Sequence, residues 1–145
     1  MGFKFPLATV LRLRESIEKR EERALQQLNL EIARVRGQID ELTRQISDAH
    51  QAREQALRQM LPASHLHAML QEAQTADQRK LALLGALQTL GEQRDKQIKV
   101  YQAAHRDHET ILSLCNGMRS SYEQEQLRTE QRNLDDIFMA RLHRS

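Results

Sequence analysis

From Leu28 to His65 the chain reads LNLEIARVRGQIDELTRQISDAHQAREQALRQMLPASH. Within it Leu28, Ile32, Val35, Ile39, Leu42, Ile46, Ala49, Arg53, Ala56 and Met60 recur at alternating spacings of four and three, and only Arg53 is polar. That rhythm is the heptad pattern. It makes a stripe on a helix too narrow to be covered except by a partner helix, which points to a coiled coil. Pro62 closes the pattern. Inside a helix a proline removes a hydrogen bond and clashes with the preceding turn, at a cost of about 3 kcal/mol. The first helix therefore stops ahead of it, and Ser64 reads as the N-cap of a second.

Working outward, Val10, Leu13, Ile17 and Ala24 extend the stripe upstream, with a phase adjustment around 24–32 of the kind that alters supercoil winding. Pro6, in Phe3-Lys4-Phe5-Pro6-Leu7, can open a helix because the first-turn N–H groups have no intrahelical partner to lose. Downstream, Leu66, Leu70, Ala73, Leu84, Leu87, Gly91, Ile98, Tyr101, His105, His108, Leu112, Cys115 and Tyr122 follow a similar rhythm, interrupted by Asp77, Lys80 and Arg94. The expectation is an all-α fold in one domain over 1–145. Helix one covers about 6–60, a turn about 61–64, and helix two about 65–142.

A turn this short folds the two helices back as an antiparallel coiled-coil hairpin. Setting Met60 opposite His65 places residue 5 near residue 120, so the second helix overhangs the first. At about 1.5 Å per residue the paired part is roughly 80 Å long and the overhang roughly 30 Å. Gly37, Gly85 and Gly91 fall inside helix, each about 1 kcal/mol less favourable than Ala. Since Gly37 lies opposite residue 88, they mark either a waist of close backbone approach or ordinary tolerated positions.

Composition excludes most other folds. Ala, Glu, Lys, Leu and Arg make up about half of the 145 residues, as in long helices. Five Gly and two Pro are too few for the turns of a multi-strand sheet, and two Tyr, three Phe and no Trp leave little bulk for a globular core. The 22 basic and 20 acidic groups are interspersed, as on a solvated helical surface. Neither a basic stripe nor stacking aromatics speaks for nucleic acid. No apolar run is long enough to insert directly in a membrane, no signal-peptide core is present, and a single Cys115 suits a reducing compartment. The expected location is cytoplasmic.

The search for chemistry gives no catalytic residue, no cofactor and no metal. His105 and His108 share a helical face, but zinc needs further ligands and a shielded second shell, and neither HExxH nor HxxEH occurs. On the stripe they are better placed to pair across it or to contact the facing helix. Cys115 reads as a small buried hydrophobe. No glycine-rich phosphate loop occurs, and the carboxylate pairs Glu21-Glu22 and Asp135-Asp136 have no pocket to perturb them. The chain should work as an adaptor, through surfaces on a long coiled coil.

Two terminal stretches go beyond generic heptads: Phe3-Lys4-Phe5-Pro6-Leu7-Ala8-Thr9-Val10-Leu11-Arg12-Leu13-Arg14-Glu15, and Arg128-Thr129-Glu130-Gln131-Arg132-Asn133-Leu134-Asp135-Asp136. Together they resemble the FliJ family of flagellar type III export proteins. That family commonly opens with F-x-F-x-L…VL-x-x-R-E and carries a late R-x-E-Q-x-x-L-D-E-like motif. Asp136 stands where the family often has Glu, and residues 15–127 match only as coiled coil.

The resemblance implies a stalk-like, non-enzymatic component of the export apparatus. Its implied partners are the ring-shaped flagellar export ATPase, the export gate membrane protein and export chaperones, with peripheral attachment at the inner membrane through the gate. The implied ATPase contact is Arg128, Glu130, Gln131, Arg132, Leu134, Asp135 and Asp136. On a helix Arg128, Gln131 and Asp135 share one face, and Glu130, Leu134 and Phe138 another. The implied gate contact, near the start of the second helix, is Leu66, Met69, Leu70 and Ala73. For Phe3 and Phe5, burial against the second helix near Tyr122 is the simpler role. The alternatives are a stalk protein of a virulence-type III secretion system and a generic coiled-coil scaffold or oligomerisation module.

Overall fold

Long runs of strong helix formers, broken only around Pro62, give two α-helices: α1, Ala8–Arg58, and α2, Ala63–Arg144. A computed structural model describes residues 2–144, and no strand occurs among them. The fold is the expected all-α pair of long helices.

The turn is built by backbone geometry. Met60 takes the left-handed conformation (φ 54°). Its N–H donates to the Leu57 carbonyl at 3.4 Å, and the Leu61 N–H donates to the Ala56 carbonyl at 3.3 Å. This pair of bonds is a Schellman cap, with Met60 where glycine is usual. Met60 is 91% exposed, so the stripe ends before it. The Pro62 carbonyl accepts from His65 at 3.0 Å and from Leu66 at 3.2 Å, so the second helix is capped at Pro62 and Ser64 lies within its first turn. A proline costs nothing there, because that N–H would have no partner.

The chain divides into two compact units. The first comprises Glu22–Val100. Its buried residues are Ile32, Val35, Ile39, Leu42 and Ala56, all on α1. On α2 the half-buried positions are Leu66, Met69, Ala73, Ala76, Lys80, Leu83, Leu87 and Leu90, while Leu70 and Leu84 are exposed. The inward stripe therefore passes through Met69 and Leu83, one position before the leucines that the sequence favoured. Met69-Leu70 and Leu83-Leu84 are adjacent apolar pairs, and which member turns inward depends on the partner helix. Ala49 is also exposed. An added Cβ at Gly37, Gly85 or Gly91 would meet nothing within 4 Å, so there is no waist of close backbone contact.

The second unit joins the N-terminal residues, up to Glu21, with Tyr101 onward. Its pairing is antiparallel: Phe3 meets Tyr122 with ring centroids 5.6 Å apart, Arg14 meets Asp107 at 3.4 Å, and Glu18 meets His105 at 2.8 Å. Phe3 is also capped by Arg119, whose guanidinium carbon lies 5.5 Å from the ring centroid. Counted back from Leu28, the three–four rhythm runs unbroken through Leu25, Glu21, Glu18, Arg14 and Leu11, all half-buried. No phase adjustment is needed. The stripe keeps its period and becomes mixed, with Arg14, Glu18 and Glu21 among the half-buried Val10, Ile17 and Ala24, while Leu13 is left 56% exposed.

Candidate partner-binding surfaces

The C-terminal segment is a helix with no cover. Every described residue from 123 onward is exposed, including Arg128, Glu130, Gln131, Arg132, Leu134, Asp135 and Asp136. Continuing the inward stripe of α2 beyond Tyr122 leads to Glu125, Thr129, Arg132 and Asp136, which are polar. The apolar residues Leu127, Leu134 and Phe138, each more than 60% exposed, cluster about 170° away, nearly on the opposite side of the helix. The polar positions explain why the described residues of this stretch stay exposed. The apolar ones form a separate stripe facing elsewhere. Arg128 lies 4.0 Å from Glu125, and the Thr129 hydroxyl donates to the Glu125 carbonyl at 2.9 Å, both within the helix. The charged groups here are thus solvated and carry little energy until something desolvates them.

Around the start of α2, Leu66, Met69 and Ala73 are half-buried on the inward stripe and Leu70 is exposed. Leu70 and Ala73 line an open groove of about 990 Å³ between the two helices of this unit, together with Leu42, Ile46, Ala49 and Ala76. Alanines at facing positions leave this space, because a methyl group cannot reach across the interhelical gap that leucine fills.

The sequence did not single out Glu18, whose carboxylate bridges two histidines of the facing helix. One carboxylate oxygen lies 2.8 Å from His105 Nδ1 and the other 2.5 Å from His108 Nδ1. A carboxylate only accepts, so both Nδ1 atoms donate and carry protons. The hydrogen bond from His105, aided by His108 against the cost of partial burial, holds the Glu18 carboxyl below the usual glutamate range. The same bond, with the nearby Glu109 charge adding to it, raises His105. The signal was present in the sequence: a carboxylate on the heptad position opposite histidines spaced i, i+3. Among the described residues no group of three or more His, Cys, Asp or Glu has the arrangement to hold a metal ion. Cys115 is buried, and no described helix is long and apolar enough to cross a membrane.

A family model described as "Flagellar FliJ protein" matches residues 3–145, essentially the entire chain, including both terminal motifs. The chain belongs to the FliJ family. It is accordingly a flagellar export-related protein, and its two long helices fit the coiled-coil character of FliJ proteins. Neither a curated protein nor a solved structure matches it. In FliJ terms, Phe3 of the opening motif is a packing residue, held by Tyr122 and Arg119, and the residues of the late motif are exposed.

Proposed function

We propose that this chain is a stalk-like adaptor of the flagellar type III export apparatus, acting without catalysis or cofactor. The segment from Glu123 to Arg144 serves as an overhanging tip that contacts the ring-shaped export ATPase through Arg128, Glu130, Gln131, Arg132, Leu134, Asp135 and Asp136. The observation that carries this reading is the exposed helix itself: among the described residues it presents a polar face and an apolar stripe that includes Leu127, Leu134 and Phe138, each more than 60% exposed. Contact with a ring subunit would desolvate the charged groups while burying Leu127, Leu134 and Phe138, the combination that gives a helix tip both affinity and orientation.

The region around the interhelical turn, with the groove beside Leu70 and Ala73 and the exposed Leu57 and Met60, serves the export gate. Leu66 and Met69 support that surface from the stripe beneath it. Export chaperones are the third class of partner, and the site of action is the cytoplasm, peripheral to the inner membrane through the gate.

The deciding experiment is association with the purified hexameric export ATPase, read as co-elution and as stimulated ATP turnover. Replacing Gln131, Leu134 and Asp135 together by Ala should weaken association at least tenfold with helicity unchanged, because interface truncations of about 1.4 kcal/mol or more suffice. Undiminished binding by the triple variant would refute the tip assignment. Absence of any association by the wild-type chain would refute the adaptor reading.

A further inference from the structure

Residues 2–21 pack on α2 through half-buried apolar side chains such as Val10, Leu11 and Ile17 and, beside them, through polar and aromatic contacts. In their unit only Ala104 and Cys115 are buried, and the α1 stripe there presents Arg14, Glu18 and Glu21. At its centre one carboxylate, with 15% of its side chain exposed, serves two imidazoles of the opposite helix. Charged groups flank this cluster on both helices. On α1, Glu15 pairs with Lys19 at 3.1 Å and Glu22 is exposed. There Arg14 is engaged with Asp107, and Glu21 is paired with Arg20. On α2, Asp107 and Glu109 flank the histidines, Arg106 is exposed, and the Tyr101 ring stacks on His105 at 6.1 Å. With Arg14 neutralised by Asp107, the balance facing the imidazoles is acidic.

We propose that the Glu18–His105–His108 cluster is a pH-responsive clasp: with His105 charged it holds residues 2–21 against α2, and with His105 neutral it lets that arm lift reversibly and uncover the α2 face bearing Cys115 and Tyr122. A neutral His105 still donates one N–H to Glu18, but without the charge assistance that makes such a bond roughly twice as strong. The clasp is complete between the ordinary glutamate and histidine ranges, about pH 4.3 to 6.5. It weakens as pH rises through the elevated titration of His105. This device concerns the chain's own pairing and does not depend on the partners proposed above.

Cys115, the single thiol and only 6% exposed, reports on the arm. The full-length protein is reacted with 4,4′-dithiodipyridine, and the rate is divided by that of the denatured chain at the same pH, which removes the ordinary thiol titration. Protection should fall several-fold between about pH 6 and pH 8.5, across the histidine range. Glu18→Gln should show lower protection at pH 6 and a flat profile, and the double variant His105→Gln/His108→Gln should do the same. A flat wild-type profile, or a wild-type profile retained in both variants, would overturn the clasp. If Glu18→Gln loses helicity, the double histidine variant decides the question alone.

Discussion

Glu18 and His105 are 87 residues apart in sequence and 2.8 Å apart across the helix pair, so a single carboxylate ties the start of α1 to the middle of α2. A charged residue on a heptad stripe normally weakens a coiled coil. Here it is matched by two donors on the facing helix, which turns a gap in the apolar pattern into a specific fastening of register.

The bond has opposite effects on its two ends, and together they set a stability window. Glu18 is lowered in the folded state, so its contribution is present above the unfolded glutamate pKa and is lost as pH falls through the lower folded value. His105 is raised, so its contribution is full below the unfolded histidine pKa and is lost as pH rises through the higher folded value. The melting-temperature difference between wild type and Glu18→Gln should therefore be largest between about pH 4.5 and 6.5 and should shrink on both sides. Thermal melts followed by circular dichroism across that range test this, and a difference constant with pH would contradict it.

Met60 occupies a left-handed cap position with its side chain almost wholly in solvent. Met60→Gly removes the Cβ clash of that conformation and sacrifices no packing. It should stabilise the protein by about 1 kcal/mol in urea unfolding, with the slope of the transition unchanged.

Gly37, Gly85 and Gly91 lie in helix with open space where a Cβ would stand. Each Gly→Ala change should add about 1 kcal/mol through backbone entropy and helix propensity. A loss of stability at any one would show a backbone approach at that site which the structure does not contain.

Ile39 and Leu134 separate core from surface. Ile39 is 9% exposed, so Ile39→Ala should cost about 2–4 kcal/mol through lost burial and the resulting cavity. Leu134 is 66% exposed, so Leu134→Ala should change stability by no more than about 0.5 kcal/mol. Any effect of Leu134→Ala on partner association is then a property of the surface and not of folding.

Legibility in the sequence followed the strength of the local signal. The α1 stripe from Leu28 to Ile46 was plain, because β-branched and leucine side chains at heptad spacing have one low-energy disposition. The α2 stripe is legible at Leu66, Ala73, Leu87 and from Ile98 to Tyr122, and off by one residue only where Met69-Leu70 and Leu83-Leu84 offer two adjacent apolar candidates. The charged positions Arg14, Glu18 and Glu21 are not legible as part of the stripe, because an apolar count passes over positions whose partners are polar. Of the candidate surfaces, the late motif was recognisable as residues, and its separation into a polar continuation and a displaced apolar stripe required the positions of Tyr122 and its neighbours.

The sequence by itself determined the helices, the single break at Pro62 and the antiparallel fold-back, because propensity, periodicity and proline sterics act within a few residues of the chain. Tertiary structure alone decided which of two adjacent leucines faces inward, that Met60 leaves the stripe to close a Schellman cap, and that Glu18 meets His105 and His108. Those outcomes depend on what the opposite helix presents at each level. A linear pattern can propose that pairing, but only the packed helices can choose it.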